Sequence, residues 1–349
     1  MRATVPVDLS FLLAKIHGMR SRVYEDERLA RLLGSRNVLE LMRSVRPNEE
    51  LISHRQFERA LITDHVGELE RLARYLEQPF AEAFAAFLRR YQVENAKVIL
   101  RGWARHLTPE QVAEHVVDLP EDLGLSQREL MAAHDLEGFL GLLPGDLAAG
   151  AALGRDHFLR LGGTYFLEVG LDRTWMGQLL TGADALAEPH RRAVCDMVNL
   201  EVDQYQVLLV LRGKVNYGID LDELRPFLLS GPELRVKEEE LEALSVAGDL
   251  AAMLAALPQR RWLEGRRDDV GEPARSIEEL QDRFLRRLYR RANWHYYHSV
   301  LDLGAVFAFA YLKRTELANL IILTEALRYD IPRPEIAGRL VGRSEEAEG

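Results

Sequence analysis

The chain has 349 residues, of which 47% are apolar, so it can supply the cores of two or three domains of ordinary size. Its 55 acidic and 45 basic side chains give a net charge of −10, which argues against a dedicated nucleic-acid binder. The single cysteine, Cys195, excludes an intramolecular disulfide framework and a thiolate metal cluster.

The N-terminal segment MRATVPVDLSFLLAKIHGMRSR has no long apolar run followed by a small-residue cleavage site, so it does not predict a secretory signal. The longest candidate for a membrane-spanning segment, LGAVFAFAYL from Leu303 to Leu312, has ten residues and is bounded by charged Asp302 and Lys313. A helix that spans a membrane needs about 20 apolar residues. The sequence therefore predicts a soluble chain.

A short capped helix is predicted three times along the chain. The segments are NVLELMRSVR from Asn37, DLEGFLGLLP from Asp135 and DLAAMLAALP from Asp249. Asn and Asp are strong N-cap residues, and each is followed by an amphipathic run. Each segment is followed by a long helix, so the two units recur in one order.

The three long helices are similar to one another. They are YQVENAKVILRGWARHLTPE from Tyr91, VDQYQVLLVLRGKVNYGIDLD from Val202, and YLKRTELANLIILTEALRYDIP from Tyr311. Each places a carboxamide in the middle of its apolar stripe, namely Asn95, Gln206 and Asn319. A buried carboxamide without partners costs about 1–3 kcal/mol, so these side chains should be hydrogen-bonded. They are interpreted either as devices that fix the packing of the core or as ligand contacts.

Further positions around the carboxamides repeat with them. A polar residue stands three positions earlier (Gln92, Asp203, Glu316), a charge stands six positions later (Arg101, Arg212, Glu325), and a small residue follows that charge (Gly102, Gly213, Ala326). The charge lies on the flank of the stripe, and Glu316 is predicted to lie on its edge. The small residue lies on the apolar face, where it would let a neighbouring helix approach closely.

The repeats predict an all-α protein of three related helical domains, at residues 1–120, 121–233 and 234–349. Proline and glycine interrupt the periodicity near both boundaries, at Pro120–Gly124 and at Ser230–Val236. Strand signals are scarce, and the short alternating run Gly162–Gly170 is interpreted as helix or turn. The polar stretch Glu264–Ser276 is predicted to be an exposed loop, whose role is left open.

These segments resemble the family of C-type (eukaryotic d-type) subunits of V-type and A-type rotary ATPases and ATP synthases. The resemblance spans most of the chain and is carried by ENAKVILRG, by YLKRTELANLIILTEALRYDIP and by the opening FLLAKIHGMRSRVYEDERLARLL, Phe11 to Leu33. Two positions depart from the family pattern. Gln206 stands where the other two copies have Asn, and Glu325 stands where they have Arg.

The resemblance implies a non-catalytic rotor subunit with three pseudo-repeated helical bundles arranged as a funnel around a central cavity. It implies a single copy in a hetero-oligomer, cytoplasmic and peripheral to the membrane, seated on the proteolipid ring and holding central-stalk subunits of the D and F type. It implies no catalytic residue, cofactor or metal. The residues that contact ring or stalk, the direction of ATP turnover and the choice between H⁺ and Na⁺ stay open.

Two alternatives from other classes are weighed against this interpretation. One is an all-α metal-dependent enzyme that uses DDVGE, in which Asp268, Asp269 and Glu272 are spaced like a magnesium motif, although Gly271 and Pro273 should break the helix that such a site needs. The other is a free-standing helical adaptor. Saturable magnesium binding that is lost in Asp268→Asn would favour the enzyme.

The string WHYYH, from Trp294 to His298, is the other chemistry-bearing pattern. His295 and His298 are spaced i and i+3, as zinc ligands can be, but no further ligand is nearby in sequence. They are interpreted as neutral packing histidines. The aromatic residues Trp294, Tyr296 and Tyr297 are interpreted as core rather than as a stacking platform for bases.

Overall fold

The computed structural model describes residues 9–50, 53–231, 233–257, 274–299 and 302–342. Within these residues the chain forms eighteen α-helices and two short 3₁₀ helices and no β-strand, so the predicted all-α class is confirmed. None of these described helices has both the length and the apolar character that a membrane crossing requires. The helices are α1 (Leu9–Arg20), α2 (Asp26–Leu33), α3 (Val38–Val45), α4 (His54–Ala73), α5 (Phe80–Ala104), α6 (Pro109–Ala113), α7 (Gln127–Met131), α8 (Leu136–Leu142), α9 (Gly145–Ala152), α10 (Arg155–Leu161), α11 (Tyr165–Asp184), α12 (His190–Tyr217), α13 (Leu221–Leu224), α14 (Glu238–Val246), α15 (Leu250–Ala256), α16 (Ile277–His298), α17 (Gly304–Arg328) and α18 (Arg333–Arg339).

The three predicted capped helices are α3, α8 and α15, and all three caps are present. In each, the cap side chain accepts a hydrogen bond from the backbone N–H three residues later, at 2.9 Å for Asn37, 2.8 Å for Asp135 and 2.8 Å for Asp249. This bond satisfies one of the N–H groups that a helix leaves unpaired at its start. The caps therefore fix where each short helix begins.

Six long helices form the frame of the molecule, as the pairs α4 and α5, α11 and α12, and α16 and α17. The members of each pair pack against each other, and consecutive pairs meet through α5 with α11 and through α12 with α16. The last long helix, α17, packs on the first, α4. The contacts among the long helices thus form a closed circuit, in which the end of the chain is joined to its beginning.

The start of each third of the chain packs on the long helix that ends the third before it. Helix α7 lies on α5, α14 and α15 lie on α12, and α1 and α3 lie on α17. Two buried carboxylates hold these starts: Glu316 accepts the backbone N–H of Tyr24 at 2.7 Å, and Asp203 accepts that of Val236 at 3.0 Å. Both carboxylates stand three residues before a carboxamide, so one polar position secures the backbone of the next repeat.

Small residues allow short helices to lie against the ends of two long helices. A Cβ added to Gly102 would overlap the side chain of Val112 on α6, and one added to Gly213 would come within 2.8 Å of Leu224 on α13. The third residue of the set, Ala326, is buried. At these sites the absence of a larger side chain lets the chain turn back onto its own helix directly after the helix ends.

An aromatic layer connects the first and last pairs of long helices. Phe84 on α5 meets Phe307 on α17 edge to face, with ring centroids 5.3 Å apart, and Phe87 meets Tyr311 in the same way at 5.0 Å. All four rings are buried. Edge-to-face pairs add about 0.5–1.5 kcal/mol to the free energy of area burial, so this layer supports the closure of the circuit.

Candidate functional site

A cavity of about 490 Å³ lies among α5, α11, α12, α16 and α17. Charged side chains from all five helices reach it. They are Arg90, Glu94, Lys97, Asp172, Glu201, Arg212, Asp282 and Arg314, with Arg339 from α18. A cavity lined in this way suits a charged protein surface better than an apolar ligand.

Three of these side chains meet as an ion-pair triad. Arg90, Glu201 and Arg314 each stand five residues before the carboxamide of their helix, so they occupy one equivalent position in α5, α12 and α17. Glu201 Oε1 lies 2.6 Å from Arg314 Nη1 and accepts a hydrogen bond from Arg90 Nη1 at 3.3 Å. Its other oxygen accepts the Tyr311 hydroxyl at 2.9 Å. One carboxylate therefore links the three helix pairs.

Aromatic rings hold the two guanidinium groups of the triad in place. The guanidinium carbon of Arg314 lies 4.7 Å from the ring centroid of Tyr311, and that of Arg90 lies 5.2 Å from the ring of Trp175. Such cation–π contacts contribute about 0.5–2 kcal/mol, more where water is excluded. The Glu201 side chain is only 5% exposed. The triad lines the cavity and is joined to the aromatic layer through Tyr311.

A second charged cluster lies on the cavity wall between α5 and α11. Lys97 Nζ donates to Asp172 at 2.9 Å and to Glu94 at 3.0 Å. Burial opposes the charge of Lys97, but the two carboxylates outweigh this effect and raise its pKa. Burial raises the pKa of Asp172, an effect that Lys97 opposes. The lysine is therefore held charged at neutral pH.

The three carboxamides secure the backbone beyond their own helices. Asn319 is 2% exposed; its Nδ2 donates to the carbonyl of Val341 at 2.6 Å and its Oδ1 accepts the Val341 N–H at 3.1 Å. Asn95 makes the same pair of bonds with Val117, at 2.8 and 2.9 Å. Gln206 accepts the N–H of Leu229 at 3.1 Å. Each carboxamide thus closes a loop of similar length onto the helix it belongs to.

The charges six positions after the carboxamides lie at the junctions between consecutive helix pairs. Arg101 on α5 donates to Glu168 on α11 at 2.9 Å, and Arg212 on α12 donates to Gln281 on α16 at 2.9 Å. Glu325 on α17 lies instead beside Glu58 on α4. The departure from Arg at position 325 therefore falls at the junction that joins the last pair to the first.

The sequence analysis does not predict the ion-pair triad. Its signal was available, because a charged residue stands five positions before every carboxamide. The position carries Arg, Glu and Arg, however, and such a mixed set is more typical of a solvated helix face. Only the closed circuit shows that the three residues face one another. Glu316, assigned to the edge of the apolar stripe, is in fact 6% exposed.

The WHYYH segment is divided between core and surface. Nε2 of His295 lies 2.8 Å from Asp196 on α12, and this carboxylate also pairs with Arg291 and Arg235. Although burial acts against it, the contacts with His295 and Arg291 lower the pKa of Asp196 to about 2. His298 is exposed and stacks on Trp294. The two histidines therefore have different partners.

The aromatic residues of this segment were only partly predicted. Tyr296 is buried, as expected for core, whereas Trp294 is 47% and Tyr297 62% exposed. The prediction of core was wrong for these two, because they lie on the outer face of α16. Arg291 covers Trp294 at 5.3 Å.

The magnesium-like string Asp268, Asp269 and Glu272 lies outside the described residues, as does most of the stretch Glu264–Ser276. Among the residues that are described, no group of three or more His, Cys, Asp or Glu side chains is placed to hold a metal ion.

Comparison with known proteins finds a matching family and related sequences. A family model described as "ATP synthase (C/AC39) subunit" matches residues 12–339. The C subunit of the A-type ATP synthase from Methanosarcina mazei is 22% identical over 330 residues, which cover 90% of this chain and 87% of the relative. The corresponding C subunit from Methanosarcina acetivorans is 20% identical over 347 residues, which cover 95% and 92% of the two chains.

Proposed function

Because the chain belongs to the ATP synthase (C/AC39) subunit family, we propose that it is a non-catalytic rotor subunit of a V/A-type ATPase or ATP synthase. In this role it connects the central stalk to the proteolipid ring and transmits torque during ion transport. The observation that carries the proposal is the closed circuit of three helix pairs around a charged cavity. The domains would comprise residues 1–120, 121–233 and 234–349, arranged as a funnel.

A rotor subunit that couples the central stalk to the proteolipid ring must be stiff. Moving one charge through 100 mV is worth about 2.3 kcal/mol, and several such steps accumulate before each ATP event, so the part must hold on the order of 10 kcal/mol without yielding. A circuit that closes on itself resists opening better than a row of domains with two free ends. The contacts of Glu201 on α12 with α5 and α17, and of Lys313 with Glu68 on α4 at 2.9 Å, support this rigidity.

The cavity is the proposed seat of the stalk subunits of the D and F type. Its charged lining offers both signs of charge to an inserted helical segment, and complementary charges fix orientation and partner choice. The triad lines this cavity and the aromatic layer does not, so we place the proteolipid ring on the side of the aromatic layer. The chain would then be cytoplasmic, peripheral to the membrane and present in one copy.

Co-purification from the native host tests the proposal. An affinity-tagged copy of the chain should recover, after detergent solubilisation, a membrane complex with ATPase activity that includes the proteolipid. Recovery of the chain alone, or with partners that lack ATPase activity, would favour a free-standing adaptor and contradict the proposal.

The cavity variant Arg212→Glu refines this test. It places a carboxylate in the lining and should reduce recovery of the stalk subunits at least tenfold while the ring is still recovered. Arg128→Glu, on an exposed position of α7, serves as the matched charge reversal and should leave both unchanged.

A further inference from the structure

The three junctions between helix pairs have the same arrangement, but the third has a different pair of side chains. At each junction the residue six positions after the carboxamide faces the first turns of the next pair. Arg101 meets Glu168 and Arg212 meets Gln281, in each case through a hydrogen bond of 2.9 Å from a guanidinium to an acceptor. At the third junction, α17 against α4, the equivalent position carries Glu325, which faces Glu58, so this pair combines two acceptors and has no donor.

The Glu58 carboxyl is in an environment that does not favour its charged form. Its Oε1 is buried and has no hydrogen-bond partner among the described residues. The largest charge effects on it come from Glu325 and Arg328 on α17 and from Arg55 on its own helix; α5, the other long helix packed on α4, supplies none of these. Both arginines already have carboxylate partners, since Arg55 lies 2.7 Å from Glu114 and Arg328 lies 3.1 Å from Glu325.

We propose that the α4–α17 junction is a pH-dependent closure, in which a single proton shared between Glu58 and Glu325 joins the two helices and its release separates them. The shared proton supplies the donor that the other two junctions obtain from arginine. When it leaves for solvent, two neighbouring carboxylates are both charged, and like charges repel.

The direction of the pH effect follows from the raised pKa of Glu58. Burial and the neighbouring Glu325 raise the pKa of Glu58 to about 7, well above the value of about 4.3 for an unfolded glutamate. A folded-state pKa raised in this way contributes stability that is fully present below the unfolded value and is lost as pH rises through about 7. The junction should therefore be closed in mildly acidic solution and loosened above neutrality.

The rest of the interface limits the opening to one end. Lys313 on α17 lies 2.9 Å from Glu68 on α4, and Lys313 also pairs with Glu316. Glu68 follows Glu58 by ten residues, about 15 Å along a helix, and Lys313 precedes Glu325 by twelve. The Lys313 end therefore stays fixed as a hinge while the Glu58 end of α4 moves.

Hydrogen–deuterium exchange on the full chain, at pH 6 and pH 8 with correction for intrinsic rates, tests the proposal. Protection of residues 54–61 should fall at least tenfold between the two pH values, whereas residues 65–72 should change little. Glu325→Arg restores the pairing of the other junctions and should keep 54–61 protected at both pH values. Equal pH dependence of the wild type and Glu325→Arg would overturn the proposal.

Two further measurements guard against a folding defect. Gln281→Glu adds a carboxylate opposite Arg212 at the second junction and should introduce no pH dependence there. Carbon-13 NMR of glutamate carboxyl groups should show a titration near pH 7 that disappears in Glu58→Gln. If no such carboxyl titrates above pH 6, the shared proton does not exist. These outcomes do not depend on whether the chain binds a stalk or a ring.

Discussion

Glu201→Leu is expected to destabilise the chain by about 3 kcal/mol, because it removes the one carboxylate between two guanidinium groups. Breaking a buried ion pair from one side costs about 3–5 kcal/mol, and the lower figure applies since the Arg90 side chain is 32% exposed. The free energy of unfolding in urea measures the effect. Glu242→Leu, which removes one of three exposed carboxylate partners of Arg225, at 3.2 Å, is the matched control and should change stability by less than about 0.5 kcal/mol.

Apolar replacement of the whole triad tests whether unpaired buried charges cause the loss of stability. Arg90→Met, Glu201→Leu and Arg314→Met together remove all three charges, and such replacements are often neutral or stabilising by about 1–4 kcal/mol. We expect the triple variant to fold and to recover most of the lost stability. A triple variant as unstable as Glu201→Leu by itself would show that the ion pairs are not the source of the effect.

Asn319→Leu should lower the free energy of unfolding by about 3 kcal/mol while leaving helix content unchanged, because the N–H and C=O of Val341 stay buried without partners. Asn95→Leu should behave alike, and Gln206→Leu should cost about 1.5 kcal/mol, since Gln206 accepts a single N–H from Leu229. Circular dichroism and urea unfolding measure both quantities. Asn216→Leu, at an exposed position of α12, is the control.

Asn319→Leu also tests the role of the Asn319 carboxamide in the assembled complex. If Asn319 fixes the position of the loop that ends at Val341, its loss should reduce the coupling between ion flow and ATP turnover in the assembled enzyme. Coupling equal to the wild type, despite the loss of stability, would restrict Asn319 to a role in folding.

The local features of the fold were readable from sequence because they depend on neighbours in the chain. The caps at Asn37, Asp135 and Asp249 and the helical positions of the carboxamides follow from residue type and periodicity. The hydrogen bonds of Asn319 were predicted, but their partner was not, since Val341 lies 22 residues away beyond a turn. No local sequence pattern specifies which distant backbone group forms a hydrogen bond with which side chain.

Contacts between distant parts of the chain could not be predicted in the same way. Glu316 holds Tyr24 across 292 residues, and Tyr311 holds Glu201 across 110. A helical wheel shows which face is apolar but not which partner covers it, and so it placed Glu316 at an edge. The repeat pattern did identify Glu325 as an exception, and the structure adds that the exception faces Glu58.

ATP-driven ion transport by the reconstituted complex tests the proposed coupling role most directly. The complex is assembled with and without this chain in lipid vesicles, and ATP hydrolysis and ion uptake are measured together, with a proton-sensitive dye and with radioactive sodium. We expect that the complex without the chain still hydrolyses ATP but moves ions at background level, and that adding the chain restores uptake. Full ion uptake in its absence would contradict the coupling role.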